Sequence, residues 1–223
     1  MLDPPALEQI PNVWRAQSLT LAKNGDKNRV IATGHHQLDA ALGGGWPAPA
    51  LIEVLCDREG IGELQLLRSL MQPRAMQACP EQRCVVLWLN TPLELHAMAI
   101  AQLGLDPTRH WCTRSLSMVD ALWAMEQALR SGSCALVMAW AQHITLAMLR
   151  RLKLAAVANG SMGVLFRPTG AAAVPSPATL RMRLRPEKED LHIELLKVQG
   201  RRPACLNLQL QGRTRRIPAM QGS

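Results

Sequence analysis

The sequence predicts an α/β protein: a mostly parallel sheet flanked by helices, finished by C-terminal antiparallel edge strands. Three observations lead there. Short apolar runs alternate with helical stretches four times between residues 30 and 168, glycine or proline follows each helical stretch, and beyond Arg167 the pattern changes to brief runs separated by turn residues. The chain divides into an N-terminal arm (1–29), a core (30–168), a β extension (169–211) and a basic tail (212–223).

In the arm, Asn12 to Gln17 contains Trp14, and Lys23 to Arg29 is a polar, glycine-containing linker. Thr33 to Leu42 then reads as a short helix with Leu38, Ala41 and Leu42 on one face, stopped by Gly43-Gly44-Gly45. Leu51 to Leu55 is a strand interrupted only by Glu53. Cys56 to Gly62 is a loop, and Glu63 to about Met71 is an amphipathic helix carrying Leu64, Leu67, Leu70 and Met71 at helical spacing. Cys84 to Leu89, Cys134 to Trp140 and Met162 to Phe166 read as buried parallel strands. Between and after them, Glu94 to Leu103, Ser117 to Arg130 and Ile144 to Asn159 read as helices, stopped by Gly104, Gly132 and Gly160. Gly170 to Pro177 is expected to be a flexible loop, followed by three edge strands at Leu180 to Leu184, Leu191 to Leu196 and Ala204 to Leu210.

Composition excludes several classes. With 48% hydrophobic and 19% charged residues over 223 positions, the chain can bury a full-sized core, so neither wholesale disorder nor a disulfide-stapled miniprotein fits. The N-terminus lacks a charged region followed by an apolar one, and no stretch of about eighteen apolar residues occurs. Six cysteines without a C-x-x-C pair read as reduced thiols of a cytoplasmic protein, with no metal site. The formal net charge is +8, and it is unevenly placed: residues 1–166 carry +1 and residues 167–223 carry +7. An acidic partner, nucleic acid or protein, is therefore expected at the C-terminal quarter.

The strand, glycine-containing loop and helix around residues 51–71 are the context of a phosphate cradle. The chemistry of one is missing. Setting Gly62 on the glycine that precedes the phosphate-binding lysine puts Asp57 on the first glycine, Glu63 on the lysine and Leu64 on the magnesium-binding hydroxyl. A carboxylate in place of an ammonium repels a triphosphate, although it suits a helix N-terminus. Glu63 then fills the slot of the phosphate, or residues 56–63 are an ordinary strand-to-helix turn.

The run Thr33 to Gly45, with Ile52-Glu53-Val54, resembles the entry to a RecA-type core. The segment Arg58-Glu59-Gly60-Ile61-Gly62-Glu63-Leu64-Gln65-Leu66-Leu67, with Trp46-Pro47 and Trp14-Arg15 upstream, is similar to the ImuA family of accessory proteins of SOS-induced mutagenic cassettes. Phe166-Arg167-Pro168 is shared by that family and its shorter relative SulA, the cell-division inhibitor. The resemblance implies a RecA-like core with a degenerate P-loop (Asp57, Gly60, Gly62, Glu63, Leu64). Asn90 stands about where a water-activating glutamate belongs, and Trp140 ends the strand that would present a magnesium-binding aspartate. It further implies a cytoplasmic accessory protein of DNA-damage-induced translesion synthesis, with no catalysis and no cofactor. Its partners would be an ImuB-type adaptor, an error-prone polymerase and RecA itself. The alternative is a SulA-like inhibitor of cell division acting on the FtsZ polymer.

Other residues carry two readings. Arg181, Arg183 and Arg185 alternate along one strand face, a comb that suits DNA, an acidic protein or a soluble edge strand. Arg201, Arg202, Arg213, Arg215 and Arg216 form a loop-borne set with the same ambiguity. Trp88, Trp123, Trp140 and methionines such as Met98 read as core, whereas Trp14, Trp46 and Trp111 are candidate partner anchors. His35 and His36 are adjacent and point apart, and Asp120 with Glu126 reads as a solvated surface.

Overall fold

A computed structural model describes residues 29–72, 85–114 and 117–210. The arm with Trp14, and the tail with Arg213, Arg215 and Arg216, lie outside the described residues. A short antiparallel pair, β1 (Arg29–Ile31) and β2 (Trp46–Ala48), brackets helix α1 (His36–Leu42). Between them the chain reverses at Gly45, where a Cβ would run into the Ile31 carbonyl. Only glycine fits.

Among the described residues, the main sheet has eight strands: β3 (Ala50–Leu55), β4 (Val85–Leu89), β5 (His110–Thr113), β6 (Cys134–Trp140), β7 (Met162–Arg167), β8 (Leu180–Glu187), β9 (Asp190–Val198) and β10 (Ala204–Leu208). They lie in the order β10-β9-β8-β3-β7-β6-β4-β5. All pairs from β8 to β5 are parallel, and β9 and β10 add antiparallel at one end.

Alternation along the strands splits the core in two. Ile52, Val54, Trp88, Phe166, Met182 and Ile193 face α1, α2 (Glu63–Leu66) and α3 (Arg68–Met71). Leu51, Leu89, Val137 and Leu165 face α5 (Met118–Ser131) and α6 (Leu146–Ala158). Each fully buried Leu or Ile contributes about 1.5–3 kcal/mol. Helix α5 starts at Ser117, whose Oγ accepts the Asp120 amide at 3.1 Å, and α6 starts at Thr145, whose Oγ1 accepts the Met148 amide at 3.2 Å.

The structure departs from the sequence-based expectations in several places. The single helix expected from Glu63 to Met71 is two short ones that break at Leu67. The four-residue edge strand β5 was unforeseen. Of Gly170 to Pro177, expected to be a flexible loop, the first residues belong to a 3-10 helix, Thr169–Ala173. Most consequentially, the first of the three expected edge strands, β8, is interior. It runs parallel to β3, and the Thr179 amide donates to the Leu51 carbonyl at 2.9 Å as the chain enters it. Only β10 is an edge at that end.

Electrostatics explains the insertion. Glu53 in the middle of β3 is wholly buried. Its Oε1 accepts from Arg167 Nη1 at 2.7 Å, and its Oε2 lies 2.6 Å from Arg181 Nε, close but off the line of a hydrogen bond. Arg181 also donates to the carbonyls of Ala171 and Val174 at 2.8 and 3.1 Å, so it ties the 3-10 segment to the sheet. A second wholly buried carboxylate, Glu126 of α5, meets Arg130 at 2.8 Å and Arg151 of α6 at 2.6 Å. Glu126 is therefore a helix-to-helix clamp, contrary to its expected place on a solvated surface.

Replacing Glu53 with glutamine leaves two buried guanidinium groups uncompensated, and the expected loss is about 3–5 kcal/mol. Urea denaturation of Glu53→Gln beside the parent protein measures it; a loss below 1 kcal/mol is the contrary result.

Candidate functional site

The carboxyl ends of the parallel strands meet in a crevice of about 390 Å³, lined by Cys56, Asp57, Glu59, Asn90, Trp140 and Phe166 among others. Three positions singled out from the sequence, Asp57, Asn90 and Trp140, thus converge. Such crevices are where open α/β sheets hold ligands. Asn90 follows β4 at φ 52°, a left-handed conformation that asparagine tolerates, and its amide donates to the Thr113 carbonyl. Trp140 stacks on Phe166 at 4.4 Å and on Trp88 at 6.2 Å between ring centroids, giving an aromatic ladder across three strands.

The loop from β3 to α2 forms the acidic lip. Glu63 is 5% exposed, and its carboxylate turns back over the loop. Oε1 accepts from the Gly60 amide at 3.2 Å and Oε2 from the Ile61 amide at 2.9 Å. An internal carboxylate thus occupies amides that a phosphate would need. Gly62, at φ 103°, allows the turn into the helix, and Leu64 packs against the core. Asp57 accepts from the amide and hydroxyl of Thr169 at 2.8 and 2.6 Å. These bonds hold its carboxyl below the usual range, so it stays ionised. Burial, together with Glu63, Glu59 and Asp57, pushes the Cys56 thiol up to about 12. Three carboxylates, Asp57, Glu59 and Glu63, thus gather around Cys56. Among the described residues, no three His, Cys, Asp or Glu side chains group as metal ligands.

The basic residues scatter. Arg181 is 6% exposed and committed to Glu53, so it is no part of an accessible comb. Arg183 pairs with Glu194 at 3.0 Å, and Arg185 is exposed. Arg201 Nη1 donates to the Ala40 carbonyl at 2.9 Å, closing the end of α1, and Arg202 is exposed. Of the tryptophans, Trp46 is wholly buried with its indole N–H on Ser69 Oγ at 2.9 Å, so it anchors the core and no partner. Trp123, expected in the core, is 59% exposed.

At the other end of the sheet, sequence reasoning marked Trp111 and a helix at Glu94 to Leu103 but missed the strand that carries Trp111. Helix α4 (Ala97–Gln102) reads Ala-Met-Ala-Ile-Ala-Gln, carries no charge and buries only Ile100. Among the described residues β5 is the edge strand at this end, and Trp111 lies on the face of Leu87, opposite the face that α4 covers through Ile100. Leu93, Met98 and Trp111 are 64%, 70% and 61% exposed, and Met98 is thus no core filler. The run His-Trp-Cys-Thr has strand propensity but is too short for periodicity to disclose.

No family model matches the chain. It is 34% identical over 122 residues to the cell division inhibitor SulA of Edwardsiella piscicida, covering 53% of this chain and 73% of that protein. Cell division inhibitor SulA of Yersinia pseudotuberculosis serotype O:1b (strain IP 31758) is 27% identical over 143 residues, 60% of this chain and 84% of the relative. That of Yersinia pestis (strain Pestoides F) is 29% identical over 119 residues, 52% and 70%. These relatives overturn the expected role in translesion synthesis, and with it the ImuB-type adaptor, the error-prone polymerase and RecA as partners. The shared Phe166-Arg167-Pro168 run is the part of the resemblance that pointed the right way.

Two predictions follow from these environments. Cys56 stays largely unmodified at pH 8 while the exposed Cys112 and Cys205 react; alkylation with iodoacetamide and peptide mass analysis tests this, and equal labelling contradicts it. Burial also pulls His110 below its ordinary 6.5, and its Nδ1 accepts the Trp88 indole N–H at 3.0 Å, which requires the neutral ring. The unfolded chain therefore takes up the proton first. This contribution to stability is complete above pH 6.5 and is lost as pH falls through the folded-state value. Melting between pH 7 and pH 5 is expected to show a shallower acid loss in His110→Gln than in the parent.

Proposed function

Since the chain belongs to the SulA family of cell division inhibitors, we propose that it inhibits cell division by binding the FtsZ polymer or its subunits, without catalysis. The observation that carries this reading is the 34% identity across nearly three quarters of a SulA protein. Binding without turnover is supported by Glu63, which spends the loop amides on a carboxylate of the chain itself. The strand order and the strand-loop-helix at residues 50–66 suit a RecA-like sheet whose P-loop has degenerated. Among the described residues no helix is long and apolar enough to cross a membrane.

For the contact itself, the edge of the sheet at β5 is the best surface: exposed Trp111 presents apolar area on a strand without the lysines or prolines that usually protect an edge, while Arg109 and Arg114 flank it. Burying a tryptophan at the centre of an interface is commonly worth 2 kcal/mol or more.

Sedimentation of FtsZ polymer with GTP is expected to fall at stoichiometric protein, and Trp111→Ser is expected to weaken inhibition about 30-fold. Unchanged polymer at excess protein refutes the division reading. Titration with labelled ATP and magnesium is expected to give no micromolar binding; binding with turnover refutes the non-catalytic one.

A further inference from the structure

Strand β10 ends at Leu208, and two residues on, Leu210 is buried against the loop from β3 to α2. A Cβ on Gly62 would run into the Leu210 side chain, so the glycine at the start of α2 makes room for it. The last of the described residues therefore lies beside the loop that forms the acidic lip of the crevice. Residues 211–223 follow, with Arg213, Arg215 and Arg216, no Asp or Glu, and then the run Ile217-Pro218-Ala219-Met220.

The crevice complements both parts of that segment. Asp57 and Glu59 are among its lining residues, and Met118, Trp140 and Phe166 give it apolar surface. Arg167 also lines it, but its guanidinium is committed to Glu53 at 2.7 Å. Asp57 is held ionised by Thr169, while Glu59 is exposed and, among the described residues, has neither a hydrogen bond nor an ion pair. Length permits the contact. Each residue spans at most about 3.6 Å, so Glu59 lies within about 11 Å of Gly62, and Arg213 to Arg216 reach about 11 to 22 Å from Leu210.

We propose that residues 213–220 dock in the crevice of their own chain, the arginines on Asp57 and Glu59 and Ile217 and Met220 against the apolar wall. A guanidinium fork suits a carboxylate, and its methylene stem covers apolar surface while the charge stays at the rim. Docked there, the three arginines are withdrawn from any other acidic partner. The inference is independent of the division reading.

Arg215→Lys keeps the charge and supplies an amine for coupling. Treating that 223-residue chain with a carbodiimide at low salt, then mapping peptides by mass spectrometry, is expected to give an amide between position 215 and Glu59 or Asp57 within one chain. About tenfold less of it is expected in about 1 M sodium chloride. Absent coupling, or coupling spread evenly over other carboxylates, overturns the proposal. So does coupling found only between two chains, which assigns the crevice to the tail of a second copy. Trypsin cleavage after Arg213, Arg215 and Arg216 gives a second measure. Glu59→Gln is expected to speed it about threefold, whereas Asp106→Asn, ahead of β5 at the amino ends of the strands, is expected to leave it unchanged. Equal rates for the two variants overturn the docking.

Discussion

A single carboxylate at the centre of the sheet organises much of what surrounds it. Glu53 holds Arg167 on one neighbouring strand and Arg181 on the other, so the same side chain joins β7, β3 and β8. Its influence extends further through Arg181, which fixes the carbonyls of Ala171 and Val174 and thereby the 3-10 segment. That segment begins with Thr169, whose amide and hydroxyl anchor Asp57 at the crevice lip. A chain of charge-assisted bonds thus runs from the sheet interior to the surface. Buried ion pairs seldom add net stability over an apolar core, but they penalise wrong arrangements heavily. Here the penalised arrangement is any in which β8 pairs elsewhere, because Arg181 would then be buried without its carboxylate.

The crevice is governed by a related economy of charge. Glu63 satisfies the Gly60 and Ile61 amides internally, so the loop needs no anion to order it. An incoming phosphate would have to expel that carboxylate and then sit near Asp57 and Glu59. Two unit charges 4 Å apart interact by about 4 kcal/mol at the effective dielectric of a protein surface, which exceeds what a neutral amide returns. The aromatic ladder of Trp88, Trp140 and Phe166 fills the space behind with stacked rings where a nucleotide-handling site would keep polar groups.

Much of this was legible in the sequence, and the failures have physical causes. Alternating apolar runs and glycine stops located β3, β4, β6, β7, α5 and α6 to within a few residues, because buried parallel strands and amphipathic helices have strong periods. Partner choice was illegible. Arg181 on a strand of alternating arginines looks solvent-facing until Glu53, more than a hundred residues earlier, is known to lie beside it. Glu126 looks like one helix charge among others until α6 brings Arg151 to it. Trp46 and Trp123 exchanged their expected places because flanking residues report local polarity and say nothing of which helix covers which strand. The loop at 56–64 differs in that its chemistry is local: Glu63 meets amides two and three residues away.

The same distinction bears on how a binding protein is built from a sheet of this kind. Ligand chemistry at the strand ends needs donors that stay unsatisfied until the ligand arrives, and unsatisfied buried donors cost about 1–3 kcal/mol each. With the loop closed on Glu63, the Gly60 and Ile61 amides carry none of that cost. At the far edge, β5 is held by its ladder to β4, with the Trp88 indole bonded to His110, so the backbone that carries Trp111 is set by the sheet. Ordering a flexible surface on binding costs about 0.5–1.5 kcal/mol for each side chain immobilised, and a preformed edge avoids most of it.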